Sequence, residues 1–116
     1  MKLSLLGLGT VKFGRNTGVK YPAVFELPDM ATMRNLLDIP HDGGINLLDT
    51  APAYGDSEIK VGELLRGQRD KWLVCTKAGE EFNASDASSH FDFSPEAITR
   101  SVERSLQRLG MYSTWF

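Results

Sequence analysis

Three short runs of apolar residues alternate along the chain with stretches that carry helix signals. The runs cover residues 5–9, 45–49 and 72–77, and their length and continuity favour strands buried in a parallel sheet. Because parallel strands are joined through right-handed crossovers, we predict the order β-α-β-α-β-α. Both open doubly wound sheets and (β/α)8 barrels begin in this way.

Each predicted strand is followed by a predicted helix with recognisable boundaries. The first helix begins after Asp29 and ends just before Pro40, since proline cannot continue a helix. The second is capped by Asp56 or Ser57 and closes at Gly67.

The third predicted helix has the clearest signals. Ser94 is the expected N-cap, Pro95 occupies the first helical position, and Gly110 closes the helix. Glu58 in the second helix and Glu96 in the third favour the positive end of the helix dipole. One apolar stripe is expected to face the core, formed by Ile98, Val102, Leu106 and Leu109.

Loop lengths distinguish the two possible sheet architectures. The strand-to-helix connections at residues 10–28 and 78–93 are long, whereas the helix-to-strand connections at residues 38–44 and 66–71 are short. In a (β/α)8 barrel the long loops lie on the face where active sites are built. We therefore predict an α/β fold, with residues 1–116 forming one domain that holds the first three βα units of an incomplete TIM barrel.

Composition and charge exclude several classes of protein. Thirteen basic and fifteen acidic residues give a net charge of −2 without any block of like charge, so we expect no nucleic-acid and no membrane partner. The single cysteine, Cys75, lies in an apolar run. We expect it to be a buried structural thiol rather than a nucleophile, and its isolation fits a reducing, cytoplasmic compartment. We read no signal peptide or membrane span at the N-terminus and assign no metal ligands.

Asp49, Tyr54 and Lys77 are the residues with the greatest chemical potential. Asp49 and Lys77 end neighbouring predicted strands about 4.8 Å apart, so an ion pair is expected. Tyr54 follows on a loop that Pro52 and Gly55 restrain, which can aim its phenol at Lys77. Tyrosine is a poor acid near neutral pH, but a buried ammonium favours the phenolate. This attraction is on the order of 4 kcal/mol in a partly enclosed site and about 1 kcal/mol in water, so enclosure decides whether the chemistry works.

The motif LLDTAPAYG at residues 47–55, followed by Ser57-Glu58 and by Thr76-Lys77, resembles the aldo/keto reductases. Nearly the whole chain shares the resemblance, which also extends to residues 7–10, 79–82, 101–106 and 108–110. The resemblance implies that Tyr54 donates a proton to a substrate carbonyl, that Lys77 makes Tyr54 more acidic, and that Asp49 holds Lys77.

The same resemblance implies a small carbonyl or alcohol substrate and NADPH as the hydride source. Gly9, Thr10 and Asp49 would lie near the nicotinamide and ribose end of this cofactor. Gly7-Leu8-Gly9 is not a dinucleotide fingerprint, because Lys12 replaces the third glycine and no helix is expected directly after Gly9.

The chain also departs from the family pattern. Family members have eight βα units and run to roughly twice this length or more, and the segments that grip the cofactor's phosphates are not found here. Neither His41, on a presumed bottom-face loop, nor His90, on a top-face loop, matches the family's catalytic histidine. We interpret the sequence as a truncated relative that is inactive by itself.

The alternative is a non-catalytic barrel fragment. Its first and third strands would expose their edges, which favours self-association or docking on a partner. The chain ends in an aromatic tail that contains Tyr112, Trp115 and Phe116. This tail has two interpretations, a docking segment or an unpaired end of the coding region.

Overall fold

Three parallel strands form the main sheet of the computed structural model, which describes residues 1–112. The strands are β1 (Gly7–Gly9), β2 (Leu47–Asp49) and β3 (Leu73–Cys75), and they lie side by side in that order. Both pairings are parallel, so the predicted βα arrangement is confirmed. Each strand is shorter than the apolar run that predicted it.

The two faces of this sheet have different surroundings. Leu8, Leu48 and Val74 are register partners on one face, where Leu48 is fully buried against the helices. Side chains alternate along a strand, so the opposite face, here called the open face, carries Gly7, Gly9, Leu47, Asp49, Leu73 and Cys75. The predicted burial of Cys75 is wrong, because its thiol lies on the open face and is exposed.

Three longer helices cover the buried face. They are α2 (Met30–Asp42), α3 (Ser57–Leu64) and α4 (Pro95–Leu109). Their apolar side chains and those of the intervening segments form one core, which comprises Phe13, Met33, Leu37, Leu48, Val61, Leu64, Leu65, Trp72 and Leu109.

A short helix that the sequence did not predict, α1 (Val11–Gly14), opens directly after Thr10. A single turn is too short to show helical periodicity, and here it is held by tertiary contacts. Phe13 is 3% exposed within the core, and the Phe13 carbonyl accepts a hydrogen bond from Lys60 Nζ at 2.7 Å.

The predicted ends of the first two long helices are wrong. α2 continues through Pro40 to Asp42, because proline in the last turn removes only one hydrogen bond and its own carbonyl still accepts from Ile45 N at 3.0 Å. α3 ends at Leu64 rather than Gly67.

The N-terminal cap predicted for α3 is also different. Asp56 holds the N-cap position but makes no side-chain capping bond, and its carboxylate instead pairs with Lys60 at 3.1 Å. The Ser57 hydroxyl points into a buried network that is described below.

The connection after β3 contains an antiparallel hairpin rather than a long loop. It consists of β4 (Glu80–Asn83) and β5 (Ser88–Phe91). β5 is exposed along its whole length, so it lacks the apolar alternation from which a strand is predicted. The turn is closed by local hydrogen bonds. The Ser85 amide donates to the Asn83 side-chain oxygen, and the Ser88 amide donates to the Asp86 carboxylate.

The boundaries predicted for α4 are confirmed. The Ser94 hydroxyl accepts a hydrogen bond from Ala97 N at 3.2 Å, and Gly110 ends the helix with φ of 65°. The most buried face of α4 is, however, formed by Ser101, Ser105 and Leu109. α4 approaches α3 most closely at Gly62, where an added Cβ would overlap the Arg108 carbonyl. The rest of the predicted stripe is half-buried.

Tyr112 is fully exposed, while Trp115 and Phe116 of the aromatic tail lie outside the described residues. Within residues 1–112, no helix has the length and apolar character needed to cross a membrane.

Replacing Ser94 with alanine should lower the free energy of unfolding by about 1 kcal/mol, because the Ala97 amide loses its acceptor. Ser94→Asp is the matched control and should retain most of the stability, since a carboxylate also caps and favours the helix dipole. Urea denaturation measures both. Equal losses in the two variants would contradict a capping role for Ser94.

Candidate functional site

A network of three fully buried hydroxyl groups joins the carboxyl ends of β1 and β2 to the start of α3. Ser57 Oγ lies 2.8 Å from Thr10 Oγ1 and 2.9 Å from the Thr10 carbonyl oxygen, and 3.1 Å from Thr50 Oγ1. Thr10 Oγ1 donates to the Asp49 carbonyl at 3.0 Å. Since each hydroxyl has one proton, Ser57 donates to Thr10 and Thr50 must donate to Ser57.

This network anchors both ends of the loop that carries Tyr54. Between Thr50 and Ser57 the chain makes two turns, closed by bonds from Tyr54 N to the Ala51 carbonyl at 3.1 Å and from Ser57 N to the Tyr54 carbonyl at 3.2 Å. The backbone of Gly14 packs directly on this loop, where an added Cβ would overlap the Tyr54 carbonyl. Only glycine therefore lets α1 approach so closely.

Lys77 meets Asp49 at the carboxyl edge of the sheet. Lys77 Nζ donates to both carboxylate oxygens of Asp49 at 2.8 Å and to the Thr50 carbonyl at 3.0 Å. Lys77 was predicted to end β3, but β3 ends at Cys75. The two extra residues let the lysine side chain reach back over the end of β2.

Tyr54 lies beside the same ammonium group. Lys77 Nζ is 4.9 Å from the centroid of the Tyr54 ring, so the three predicted side chains form one cluster. Partial burial lowers the pKa of Lys77, but hydrogen bonding and attraction to Asp49 and Tyr54 outweigh it and raise this pKa above its ordinary value. The ammonium form of Lys77 is therefore the stable one at neutral pH.

The cluster is open to water on one side. The side chains of Lys77 and Asp49 are 48% and 41% exposed, which differs from the buried ammonium considered from the sequence. Charge pairs with this exposure contribute about 0–1 kcal/mol, because water screens them. In residues 1–112 the open face provides the route for this solvent.

Glu58 is a buried charged residue whose importance the sequence analysis missed. Its side chain is fully buried, Oε1 accepts from Thr76 Oγ1 at 2.6 Å, and Oε2 pairs with Arg108 at 3.3 Å. The signal was helical spacing, because Glu58 and Val61 share one face of α3 at i and i+3, and the C-cap residue Leu65 continues that face at i+7. Glu58 thus fixes the residue that directly precedes Lys77.

Of the three residues predicted near a cofactor, Gly9 and Asp49 lie on the open face, whereas Thr10 is buried. Gly9 is exposed on the open face, and an added Cβ would meet nothing within 4 Å. Asp49 is beside it in register. Thr10 is fully buried, and its hydroxyl is engaged with Asp49 and Ser57, so it supports the carboxyl edge from beneath.

The two histidines lie apart from the cluster. His41 is in the last turn of α2 rather than on a loop, and its ring centroid is 5.3 Å from that of Trp72. Since α2 leads into the start of β2, His41 lies toward the amino ends of the strands, whereas Asp49 lies at the carboxyl end of β2. His90 is on β5 and is exposed.

Residues 5–114 match the model of the aldo/keto reductase family. The chain belongs to this family. An NADH-specific methylglyoxal reductase from Escherichia coli is 37% identical over 120 residues, covering 94% of this chain and 35% of the relative. The aldo-keto reductase YhdN from Bacillus subtilis is 34% identical over 94% of this chain and 31% of its own length.

Solved structures agree with this assignment. A Pseudomonas aeruginosa protein assigned as an aldo-keto reductase matches with a TM-score of 0.81 and 53% identity, over 94% of this chain and 39% of that one. The holo aldo-keto reductase AKR11C1 from Bacillus halodurans matches with a TM-score of 0.73 and 31% identity, over 94% of this chain and 33% of that one. The chain thus spans about a third of the length of the relatives it matches, and its three βα units form part of the aldo/keto reductase barrel.

Replacing Ser57 with alanine should lower the free energy of unfolding by about 1–3 kcal/mol, because the Thr50 hydroxyl would be left buried without an acceptor. The control is Ser85→Ala, which removes an exposed hydroxyl bonded only to Asn83 and should change stability by less than about 0.5 kcal/mol. Chemical denaturation measures both. Similar unfolding free energies for the two variants would show that the network does not stabilise this loop.

Proposed function

We propose that the chain carries the carbonyl-reducing site of an NADPH-dependent aldo/keto reductase, centred on Tyr54. The observation that carries this proposal is the position of the Lys77 ammonium group, which lies 2.8 Å from the Asp49 carboxylate and 4.9 Å from the Tyr54 ring centroid. A cation held beside a phenol favours loss of the phenolic proton. The substrate class is a small carbonyl compound or the corresponding alcohol.

Each residue of the cluster has a distinct role in this proposal. The Tyr54 hydroxyl donates its proton to the oxygen of the substrate carbonyl, and Lys77 stabilises the phenolate that remains. Asp49 holds Lys77 at the carboxyl edge, where its bidentate contact keeps the ammonium between the two partners. In the reverse direction Tyr54 accepts the proton of the alcohol.

The free space beside Gly9 supports the assignment of a nicotinamide cofactor to this site. NADPH, when bound, supplies the hydride that converts a carbonyl carbon to an alcohol carbon. Gly9 leaves free space on the open face beside Asp49, and we assign the nicotinamide and ribose end to this region, with Thr10 supporting it from below. NADPH rather than NADH is the finer part of the proposal, since the Escherichia coli relative is NADH-specific.

Residues 1–116 by themselves should turn over substrate poorly. Lys77 is 48% exposed, so water weakens its effect on Tyr54. Efficient reduction requires that the open face be covered, because the attraction between an ammonium and a phenolate grows as water is excluded.

Nucleotide binding is the first test of this function. Titration calorimetry with NADPH and with NADH should show saturable binding that favours NADPH and is weakened by Lys77→Met. Lys71→Met is the matched control, since Lys71 is exposed at the opposite edge of the sheet, and it should bind like the unmodified chain. Tyr54→Phe should keep nucleotide binding but reduce carbonyl-dependent NADPH oxidation by about 10²–10⁴-fold, the usual range for loss of a general acid.

Three results of this experiment would count against the proposal. Absence of binding by a chain that is folded by circular dichroism would exclude an autonomous cofactor site. Preferential binding of NADH would reassign the cofactor. Turnover that survives Tyr54→Phe unchanged would remove Tyr54 from the role of proton donor.

A second candidate function is assembly without catalysis. In the part of the chain that the structure describes, β1 and β3 each have one unpaired edge, and the open face carries the half-buried Leu47 and Leu73. We propose a second copy of this chain as the occupant, because identical edges can pair with one another.

Self-association predicts a concentration-dependent increase in sedimentation coefficient. The Val74→Pro substitution in the edge strand β3 is unsuitable because it would disturb the core, whereas Cys75→Lys places a charge on the open face and should shift the equilibrium toward monomer. A folded chain that sediments as a monomer at all concentrations would exclude this function.

A further inference from the structure

Arg15 lies where the loops that follow β1, β2 and β3 meet. It directly follows α1, and its side chain is only 11% exposed. Such burial is unusual for a charged side chain. The sequence analysis assigned it no role.

The guanidinium group bonds to two of the three loops through backbone carbonyls. Within its own loop, Nε donates to Thr17 at 2.9 Å and NH2 donates to Gly18 at 2.9 Å. NH1 donates to the Ala53 carbonyl at 3.0 Å, in the loop after β2. These three bonds occupy three different nitrogen atoms in one plane.

The third loop contains the β4–β5 hairpin and contacts the face of the same guanidinium group. The Phe82 ring centroid lies 3.6 Å from the Arg15 Cζ, which is within stacking distance. Glu80 Oε1 is 4.0 Å from NH1. Arg15 therefore joins all three loops: the edge of its guanidinium group bonds to carbonyls of two loops, and its face stacks on the hairpin of the third.

The bond to Ala53 bears directly on Tyr54, because both belong to one planar peptide unit. The Ala53 carbonyl accepts from Arg15, while the Tyr54 amide of the same unit donates to the Ala51 carbonyl at 3.1 Å. The unit is thus held on both sides. Its orientation sets the direction in which the Tyr54 side chain leaves the backbone.

We propose that Arg15 is a positioning residue that orients Tyr54 through the Ala53–Tyr54 peptide and draws the β4–β5 hairpin against the carboxyl edge. Lysine cannot replace it, because an ammonium group has neither the planar fork that serves three carbonyls nor a face that stacks on Phe82. The catalytic consequence rests on the proposed function, whereas the effect on local opening does not.

Amide hydrogen exchange measured by NMR on the full chain tests this role. Arg15→Lys should raise exchange by at least about tenfold at the Tyr54 amide and at the hairpin amide of Asp92, which bonds to the Gly79 carbonyl. The sheet amides of Thr50 and Leu73 should exchange as before. A general loss of stability would instead raise exchange at all four positions and would overturn the proposal.

Two further variants sharpen the result. Phe82→Leu removes the stacked ring but keeps the carbonyl bonds, so it should raise exchange at Asp92 and leave Tyr54 unchanged. Arg34→Lys is the matched control, since Arg34 also donates to a backbone carbonyl, that of Leu64 at 2.6 Å, but lies between α2 and α3. Unchanged exchange at Tyr54 in Arg15→Lys, or an equal increase in Arg34→Lys, would overturn the role of Arg15.

Nucleotide and turnover measurements separate this inference from the proposed function. Arg15→Lys should lower kcat for carbonyl reduction by about tenfold or more while leaving NADPH affinity within about twofold, because the open space at Gly9 is not altered. If the unmodified chain binds no nucleotide, the proposed function fails. The exchange pattern still decides whether Arg15 orients the Tyr54 loop.

Discussion

Hydrogen bonds among three buried hydroxyl groups fix the geometry on which the site depends. Thr10, Thr50 and Ser57 are each fully buried, and an unpaired polar group there would cost about 1–3 kcal/mol. Only one ordering of donors satisfies all three, and that ordering joins β1, β2 and α3 at one point. The loop between Thr50 and Ser57 has both ends attached to this point, so Tyr54 is placed by the network beneath it.

A second buried polar contact performs the same task for the third βα unit. The Glu58 carboxylate accepts from Thr76 and pairs with Arg108, so α3 is joined both to the segment after β3 and to α4. Removing one partner of a buried charge is more costly than losing the net attraction of the pair. Lys77 directly follows Thr76. Glu58 therefore sets the direction of Lys77 by holding the preceding residue. Tyr54 and Lys77 thus depend on two consecutive residues, Ser57 and Glu58, at the start of the same short helix.

Residue spacing predicted some strand ends and helix caps but not others, since Lys77 lies beyond the end of β3 and the predicted ends of α2 and α3 were wrong. The position of Asp49 was predicted from the end of an apolar run, and the role of Ser94 from N-cap preferences. Both rules act over a few residues. Features that depend on long-range contacts could not be found in this way. The exposure of Cys75 depends on which sheet face the helices cover, and the β4–β5 hairpin has exposed residues that give no apolar pattern. The contacts of Arg15 join three loops that are distant in sequence.

Assembly of the Asp49–Tyr54–Lys77 cluster and its chemical activation are physically separate steps. The three βα units bring the side chains together, because the contacts that orient them lie within these units. In the proposed function, activation depends instead on the dielectric around the Lys77 ammonium, since the attraction between two charges at about 4 Å falls from on the order of 4 kcal/mol in a partly enclosed site to about 1 kcal/mol in water. Lys77 and Asp49 are 48% and 41% exposed, near the aqueous end of that range. In the proposed function, covering the open face would strengthen the effect of Lys77 on Tyr54 without moving any of the three residues.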